Sequence, residues 1–299
     1  MSEFADVSST RTRDYERIQL AGGWRGIVRR GPTVEPRDNA IQLWLRTLAN
    51  DATKLPGHTT LKYSSSVEVI RADGPFVPGA NGPIRSVVGK RAKSGGPFGG
   101  SRAKKNLERA LRLMRAGIGT ATPLALLENG RESWLVTEYL PGLIDLDQLA
   151  LTTLPRMNVR ESRRLKTRVI ACVSNLLARL RDAGLHHRDL KASNILLSGI
   201  NAADAECRPV ILDLDGLRLW TLRQTAAERF RLTRLAASLL QYKSITCADY
   251  ARFLRSYLRA SQRTDNGWRW WFREISRRAS NYNRKAQGRK PDKLDGYTG

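Results

Sequence analysis

The stretch His187-Arg188-Asp189-Leu190-Lys191-Ala192-Ser193-Asn194 leaves this chain few folds to choose from. It is a polar loop followed at once by the apolar run Ile195-Leu196-Leu197. Before it lies a helical pattern, about Val159 to Ala183, with Leu165, Val169, Val173, Leu176, Leu177 and Leu180 on one face, and Gly184 as its natural stop. A long helix buried on one side and a strand after the loop hold such a loop still. Beyond a polar insert from Ser198 to Pro209, a second buried strand, Val210-Ile211-Leu212, runs into Asp213-Leu214-Asp215-Gly216. The residue types suggest chemistry. A carboxylate at Asp189 suits orienting an incoming hydroxyl and taking its proton, the amide oxygen of Asn194 suits a hard cation, and Lys191 suits charge on a transferred group. The bland alternative is a polar turn in which Asp189 and Asn194 only cap backbone groups.

The loop has the form H-R-D-L-x-x-x-N and resembles the catalytic loop of protein kinases, where the Asp takes the acceptor's proton and the Asn holds Mg²⁺. Asp213, the first acid after a buried strand, likewise resembles the metal-binding Asp of D-F-G, with Asp215 standing where the Gly would be. This resemblance implies an α+β, two-lobed, protein-kinase-like fold: an antiparallel-sheet N-lobe and a mainly helical C-lobe.

The rest of the chain divides accordingly. Residues 1–55 read as an N-terminal extension of mixed charge, with a helix around Ala40 to Leu48 and loop signals at Gly31-Pro32 and Pro56-Gly57. From Leu61 the pattern is strand-like, through Val67 and Val69 and, after a Gly/Pro-rich turn from Asp73 to Pro83, Ile84 and Val87-Val88. Residues 56–140 therefore read as the N-lobe. Ser64, Ser65 and Ser66 sit where a kinase fold places its phosphate-covering loop; they are not G-x-G-x-x-G, and an ordinary polar hairpin explains them as well. Lys90 ends a strand as the phosphate-pairing lysine does in kinases, with Arg91 and Lys93 as rivals.

A Gly-rich linker, Ser94 to Gly100, leads to a helix from about Ser101 to Ala116, with Leu107, Ala110, Leu111 and Met114 at helical spacing. Kinases carry here a Glu that pairs with the lysine. Glu108 is the only acid in the helix and falls one position off the stripe, so Asn106 takes the expected place. The strand Ser133 to Leu140 stops at Pro141-Gly142, and the backbone from Glu138 to Leu140 is where a kinase hinge meets adenine. Residues 141–285 read as the C-lobe, with further helices at about Thr225 to Leu240, Ala248 to Arg259 and from Trp268, and 286–299 as a basic tail.

Charge and cysteine usage narrow the setting. Lys plus Arg number 52 against 28 Asp plus Glu, a formal net charge of +24, so the surface seeks phosphate in nucleotide, nucleic acid or anionic lipid. Cys172, Cys207 and Cys247 form no C-x-x-C pair and point to a reducing, cytoplasmic compartment. The N-terminus carries acid and no apolar signal core, and no apolar run approaches the roughly 18 residues of a membrane span. If the protein meets a membrane, it lies on the inner face of the cytoplasmic one. From Trp268 to Lys290 the cations Arg269, Arg273, Arg277, Arg278, Arg284, Lys285, Arg289 and Lys290 face only Glu274, which favours an anionic membrane surface over nucleic acid as partner.

Taken together, His187 to Asn194, Asp213-Leu214-Asp215, the helix end at Gly117-Ile118 and Thr137-Glu138 before Pro141 resemble the lipopolysaccharide kinase family, the Kdo and heptose kinases of bacterial envelopes. The similarity runs from about Leu61 to at least Leu258. It implies Mg²⁺ and ATP as cofactors and a sugar hydroxyl of the lipopolysaccharide core as acceptor, with Asp189 as base, Asn194 and Asp213 as metal ligands and Lys90 as the ATP-binding lysine. Two other readings remain. One is a protein Ser/Thr kinase, which normally carries A-P-E after D-F-G; from Gly216 to Leu240 neither A-P-E nor a long activation segment occurs. The other is a basic pseudokinase that binds membrane or nucleic acid, against which the intact Asp189, Asn194 and Asp213 argue.

Overall fold

Residues that read as an extension in the sequence are built into a sheet. In the computed structural model, which describes residues 14–30, 39–75, 86–93, 101–200, 206–219, 224–262 and 267–287, the chain falls into two units, one of Met1–Arg115 with Thr120–Pro141 and one of Ala116–Gly119 with Gly142–Gly299. The first begins with the hairpin β1 (Tyr15–Gln19) and β2 (Arg25–Arg29), followed by helix α1 (Asn39–Asp51). Next come β3 (Thr59–Tyr63), β4 (Val67–Asp73), β5 (Ser86–Lys93) and helix α2 (Arg102–Arg115). After the short β6 (Gly119–Thr120) follow β7 (Pro123–Asn129) and β8 (Glu132–Glu138).

Seven of these strands form one antiparallel sheet in the order β1-β2-β7-β8-β5-β4-β3. Residues 15–29 and 39–51 are therefore part of the N-terminal sheet unit rather than an appendage before residue 56. The two faces are covered differently. Ile41, Trp44, Leu45 and Leu48 of α1 pack with Ile70, Val87, Trp134 and Val136, whereas Ala103 and Leu107 of α2 pack with Leu126 and Leu135. Residues that alternate along β8 thus serve opposite cores, as the strand period of two requires. Trp44 also donates its indole N–H to the Asp73 carbonyl at 2.7 Å, which fixes α1 against β4.

The second unit opens with β9 (Ile144–Asp145) and the short helix α3 (Leu146–Gln148), then α4 (Val159–Asp182). Asn158 caps the 24-residue α4 in a reciprocal box with Glu161, so the helix starts at Val159, ahead of the buried stripe that begins at Leu165. Strands β10 (Leu185–His187), β11 (Ile195–Ser198), β12 (Arg208–Ile211) and β13 (Leu217–Leu219) flank the polar loop, with β9 and β12 on either side of β11 and β10 paired to β13. Helices α5 (Gln224–Leu239), α6 (Cys247–Ala260) and α7 (Trp268–Gln287) complete the unit. The box at the start of α6 uses Thr246 and Asp249, and Asp249 further pairs with Lys166 of α4 at 2.9 Å. Trp271, Ile275 and Ala279 of α7 are buried, and Arg269, Arg273, Arg277 and Arg278 face solvent.

Cys172 on α4 and Cys207 before β12 lie with their sulfurs 2.6 Å apart as free thiols, a contact that their separation in sequence conceals. Ile84, the linker from Ser94 to Gly100, and Arg289 and Lys290 of the basic tail lie outside the described residues. No helix among those described is long and apolar enough to cross a membrane.

Candidate active site

The polar loop of the C-terminal unit is fixed from three directions, each by backbone groups that the sequence makes available. His187 ends β10 fully buried, and its Nε2 lies 2.8 Å from the Asp213 carbonyl, which can only accept; Nε2 therefore carries the proton. The Arg188 N–H donates to the Gly216 carbonyl at 2.8 Å, and Gly216 lies so close to the imidazole that a Cβ there would stand 2.4 Å from His187 Cε1. From the other side, the Ala192 N–H donates to Ser238 Oγ of α5 at 2.9 Å. The loop's two ends are tied to β13 and α5 before any ligand arrives.

Within that frame the predicted residues of the C-terminal unit come together. Asn194, nearly buried, donates from Nδ2 to the Asp189 carbonyl at 2.7 Å, which leaves its amide oxygen as the group able to meet a cation. The Asn194 carbonyl accepts from the Leu212 N–H at 3.0 Å, so Asp213 follows directly after the residue paired to Asn194. Asp213 has an exposed side chain and a left-handed backbone, φ 52° and ψ 67°, uncommon outside glycine and a mark of sites where surroundings dictate conformation. Lys191 Nζ stands 3.8 Å from Asp189 Oδ2.

Arg234 of α5 was not singled out from the sequence, yet its Nη2 bonds to Asp189 Oδ1. Burial pushes the Asp189 carboxyl up, but the Arg234 guanidinium and the Lys191 ammonium outweigh it and hold the group below the usual carboxylate range. The signal for Arg234 was present: it interrupts the apolar residues Leu232, Leu235 and Ala236, all buried, in a helix that otherwise reads as scaffold.

In the N-terminal unit, Lys90 lies across from Leu135 in the β5–β8 register and so shares the face that α2 covers. Its rival Arg91 takes the opposite face, where its guanidinium lies 5.7 Å from the Trp134 ring and pairs with Glu132 at 2.6 Å. On α2, Asn106 is buried and Glu108 half-buried. Ser64 closes the β3–β4 turn through its N–H and Oγ to Val67, and Ser64, Ser65 and Ser66 border a small cavity of about 50 Å³ with Arg91 and Lys93. Glu138 ends β8 with its carboxylate held by the Thr122 N–H and hydroxyl at 2.8 and 2.7 Å; Leu140, two residues on, is half-buried.

No curated protein matches the sequence. Among solved structures, one described as WaaP in complex with acyl carrier protein shares the fold, with a TM-score of 0.58, 23% identity, and coverage of 84% of this chain and 96% of that one. The model of the lipopolysaccharide kinase (Kdo/WaaP) family matches residues 89–257, which include the second half of β5, α2, the whole polar loop and Asp213. The matched stretch spans the polar loop, and the solved structure shares the kinase-like fold: the chain belongs to the lipopolysaccharide kinase (Kdo/WaaP) family, kinases of lipopolysaccharide sugars.

Proposed function

We propose that the chain transfers the γ-phosphoryl group of Mg²⁺-ATP to a hydroxyl of Kdo or heptose in the lipopolysaccharide core, with Asp189 orienting that hydroxyl and taking its proton. One observation carries the reading: Asn194 bonds the Asp189 backbone and, through Leu212, adjoins Asp213, so that base and cation ligands share one small rigid frame. The amide oxygen of Asn194 and the Asp213 carboxylate are hard donors that fit Mg²⁺, and two protein oxygens suffice because this ion takes substrate phosphates and water as its other ligands. When bound, the metal would offset charge on the β- and γ-phosphates. Lys191 meets charge on the moving group. In the N-terminal unit, Lys90 pairs with nucleotide phosphates, the backbone from Glu138 to Leu140 meets adenine, and Ser64, Ser65 and Ser66 approach the phosphates.

Phosphoryl transfer needs little beyond this. Its transition state is loose, so positioning and charge do most of the work. The test is to incubate the chain and Asp189→Asn with γ-labelled ATP and a lipopolysaccharide core extract, a general protein substrate or buffer alone. Label on the core, lost in the variant, is the expected result. Label on protein, or equal turnover by Asp189→Asn, overturns it.

Two partners extend the reading. The Arg-rich exposed side of α7 favours residence on an anionic membrane, beside a lipid-anchored acceptor. An apolar cavity of about 270 Å³ in the C-terminal unit, bordered by Leu149, Val169, Leu235, Leu239, Phe253 and Ile275, favours an acyl carrier protein as partner, as in the WaaP complex. Co-elution with acylated but not unacylated carrier protein tests this.

A further inference from the structure

A base that serves a hydroxyl needs a carboxylate oxygen within hydrogen-bond reach of it, about 2.6–3.2 Å. Both oxygens of Asp189 face cations instead: Oδ1 bonds to Arg234 and Oδ2 stands 3.8 Å from Lys191. The lysine is loosely placed and exposed. Arg234 is firmly placed, with its guanidinium 4.4 Å from the centre of the Tyr282 ring and its side chain only 19% exposed. That ring sits on α7, which Asn283 fastens to α5 by donating to the Ala237 carbonyl at 3.0 Å. Among the described residues, the bond to Asp189 is the only hydrogen bond of the guanidinium.

This arrangement has a cost if it persists during the reaction. Arg234 occupies the oxygen the hydroxyl needs and depresses the basicity of the carboxylate. Moving the arginine away without another anion would leave a half-buried cation unpaired, which is unfavourable. A planar guanidinium stacked on a ring is built to take a carboxylate or phosphate through two parallel hydrogen bonds. Asp189 therefore stands in for such a group.

We propose that Arg234 is a specificity residue: it binds an anionic group, carboxylate or phosphate, on the acceptor sugar, and in doing so releases Asp189 Oδ1 to the reacting hydroxyl. The acceptor's own charge thus frees the base. A neutral acceptor of the same shape leaves Arg234 on Asp189 and is a poor substrate. The inference rests on Asp189 being the base, and its test separates the two.

The test uses the full chain, Mg²⁺-ATP and three forms of one deacylated lipopolysaccharide core oligosaccharide: untreated, carboxyl-methylated, and dephosphorylated with a phosphatase. Wild type should lose at least tenfold in kcat/KM on one treated form, and which one tells a carboxylate from a phosphate. Arg234→Gln should be equally slow on all three. Tyr282→Leu, which removes only the ring, should show a reduced preference in the same direction, and thermal melting of both variants checks that they fold. If wild type uses the three forms equally, or Arg234→Gln keeps the wild-type preference, the proposal is overturned. Asp189→Asn run alongside should be inactive on every form; activity there overturns the base assignment instead.

Discussion

The imidazole Nε2 of His187 donates to the backbone carbonyl of Asp213 at 2.8 Å, so the first residue of the polar loop holds the backbone of the acid two residues beyond β12. Nδ1 of the same ring is buried without a hydrogen-bond partner. Protonation would place an unpartnered cation in the core, and burial accordingly pushes the His187 pKa down, against the pull of the Asp213 carbonyl.

A pH dependence of stability follows. Above the ordinary histidine value of about 6.5 the ring is neutral in both folded and unfolded chains, and its contribution is fully present. As pH falls below that value the unfolded chain takes the proton first, and stability declines until the native pKa is passed. His186, also lowered by burial and then by Arg231, acts in the same direction. Melting temperature should hold between pH 8 and 7 and fall from about 6.5 to 5, with a shallower fall in His187→Gln; a flat profile counts against this account.

Gly216→Ala tests the packing of the same ring. The new methyl group would stand 2.4 Å from His187 Cε1 and 2.8 Å from Nδ1, and neither the buried ring nor the backbone has room to yield. The expected cost is about 1–3 kcal/mol, read as a lower urea midpoint, together with loss of turnover because Asp213 shifts with the turn. Wild-type stability in this variant would show that the loop is looser than described.

Lys90 and Arg91 differ by one residue and, on a strand, by which core they face. Lys90→Met should raise the KM for ATP at least tenfold and leave melting nearly unchanged. Arg91→Met should do the reverse: it removes pairs to Glu132 and Glu68, worth about 1 kcal/mol in this half-buried setting, and spares nucleotide binding. Exchanged phenotypes would mean that the nucleotide lysine has been misassigned.

On α7, Glu274 pairs with both Arg277 and Arg278 and so masks part of the basic face. Replacing Arg277, Arg278, Arg284 and Lys285 with Gln should weaken sedimentation with anionic vesicles, and Glu274→Gln should strengthen it. Binding should vanish by about 0.5 M salt and be absent with neutral lipid. Stronger, salt-sensitive retention on duplex nucleic acid than on vesicles would point to a different partner.

What could be read from the sequence was what is local. The stripe from Leu165 to Leu180 and the stop at Gly184 placed α4 to within a residue, and the helix read at about Ala248 to Arg259 is α6 to within a residue at each end. The loop from His187 to Asn194 was legible because its chemistry is packed into eight consecutive residues. The hairpin of β1 and β2 was not, since its support comes from β7 and from the Tyr15 hydroxyl donating to the Pro123 carbonyl, 108 residues away. Arg234 was hidden for the same reason: α5 carries Arg229, Arg231 and Arg234, and only the fold shows which of them meets Asp189. On α2 the stripe was read through Met114, whereas Leu113 is the residue fully buried, a drift of one position that a helix end readily hides.

The seven-stranded sheet bears on how the protein can be handled. The family match begins at residue 89, within β5, and invites expression of a shortened chain from that point. Such a chain would lack β4, leaving the N–H and C=O groups on one side of β5 open as a pairing edge, and would lack α1, baring Trp134 and Val136 to water. Both are invitations to aggregate. Solubility of this kinase is carried by residues that lie entirely outside its recognisable signature.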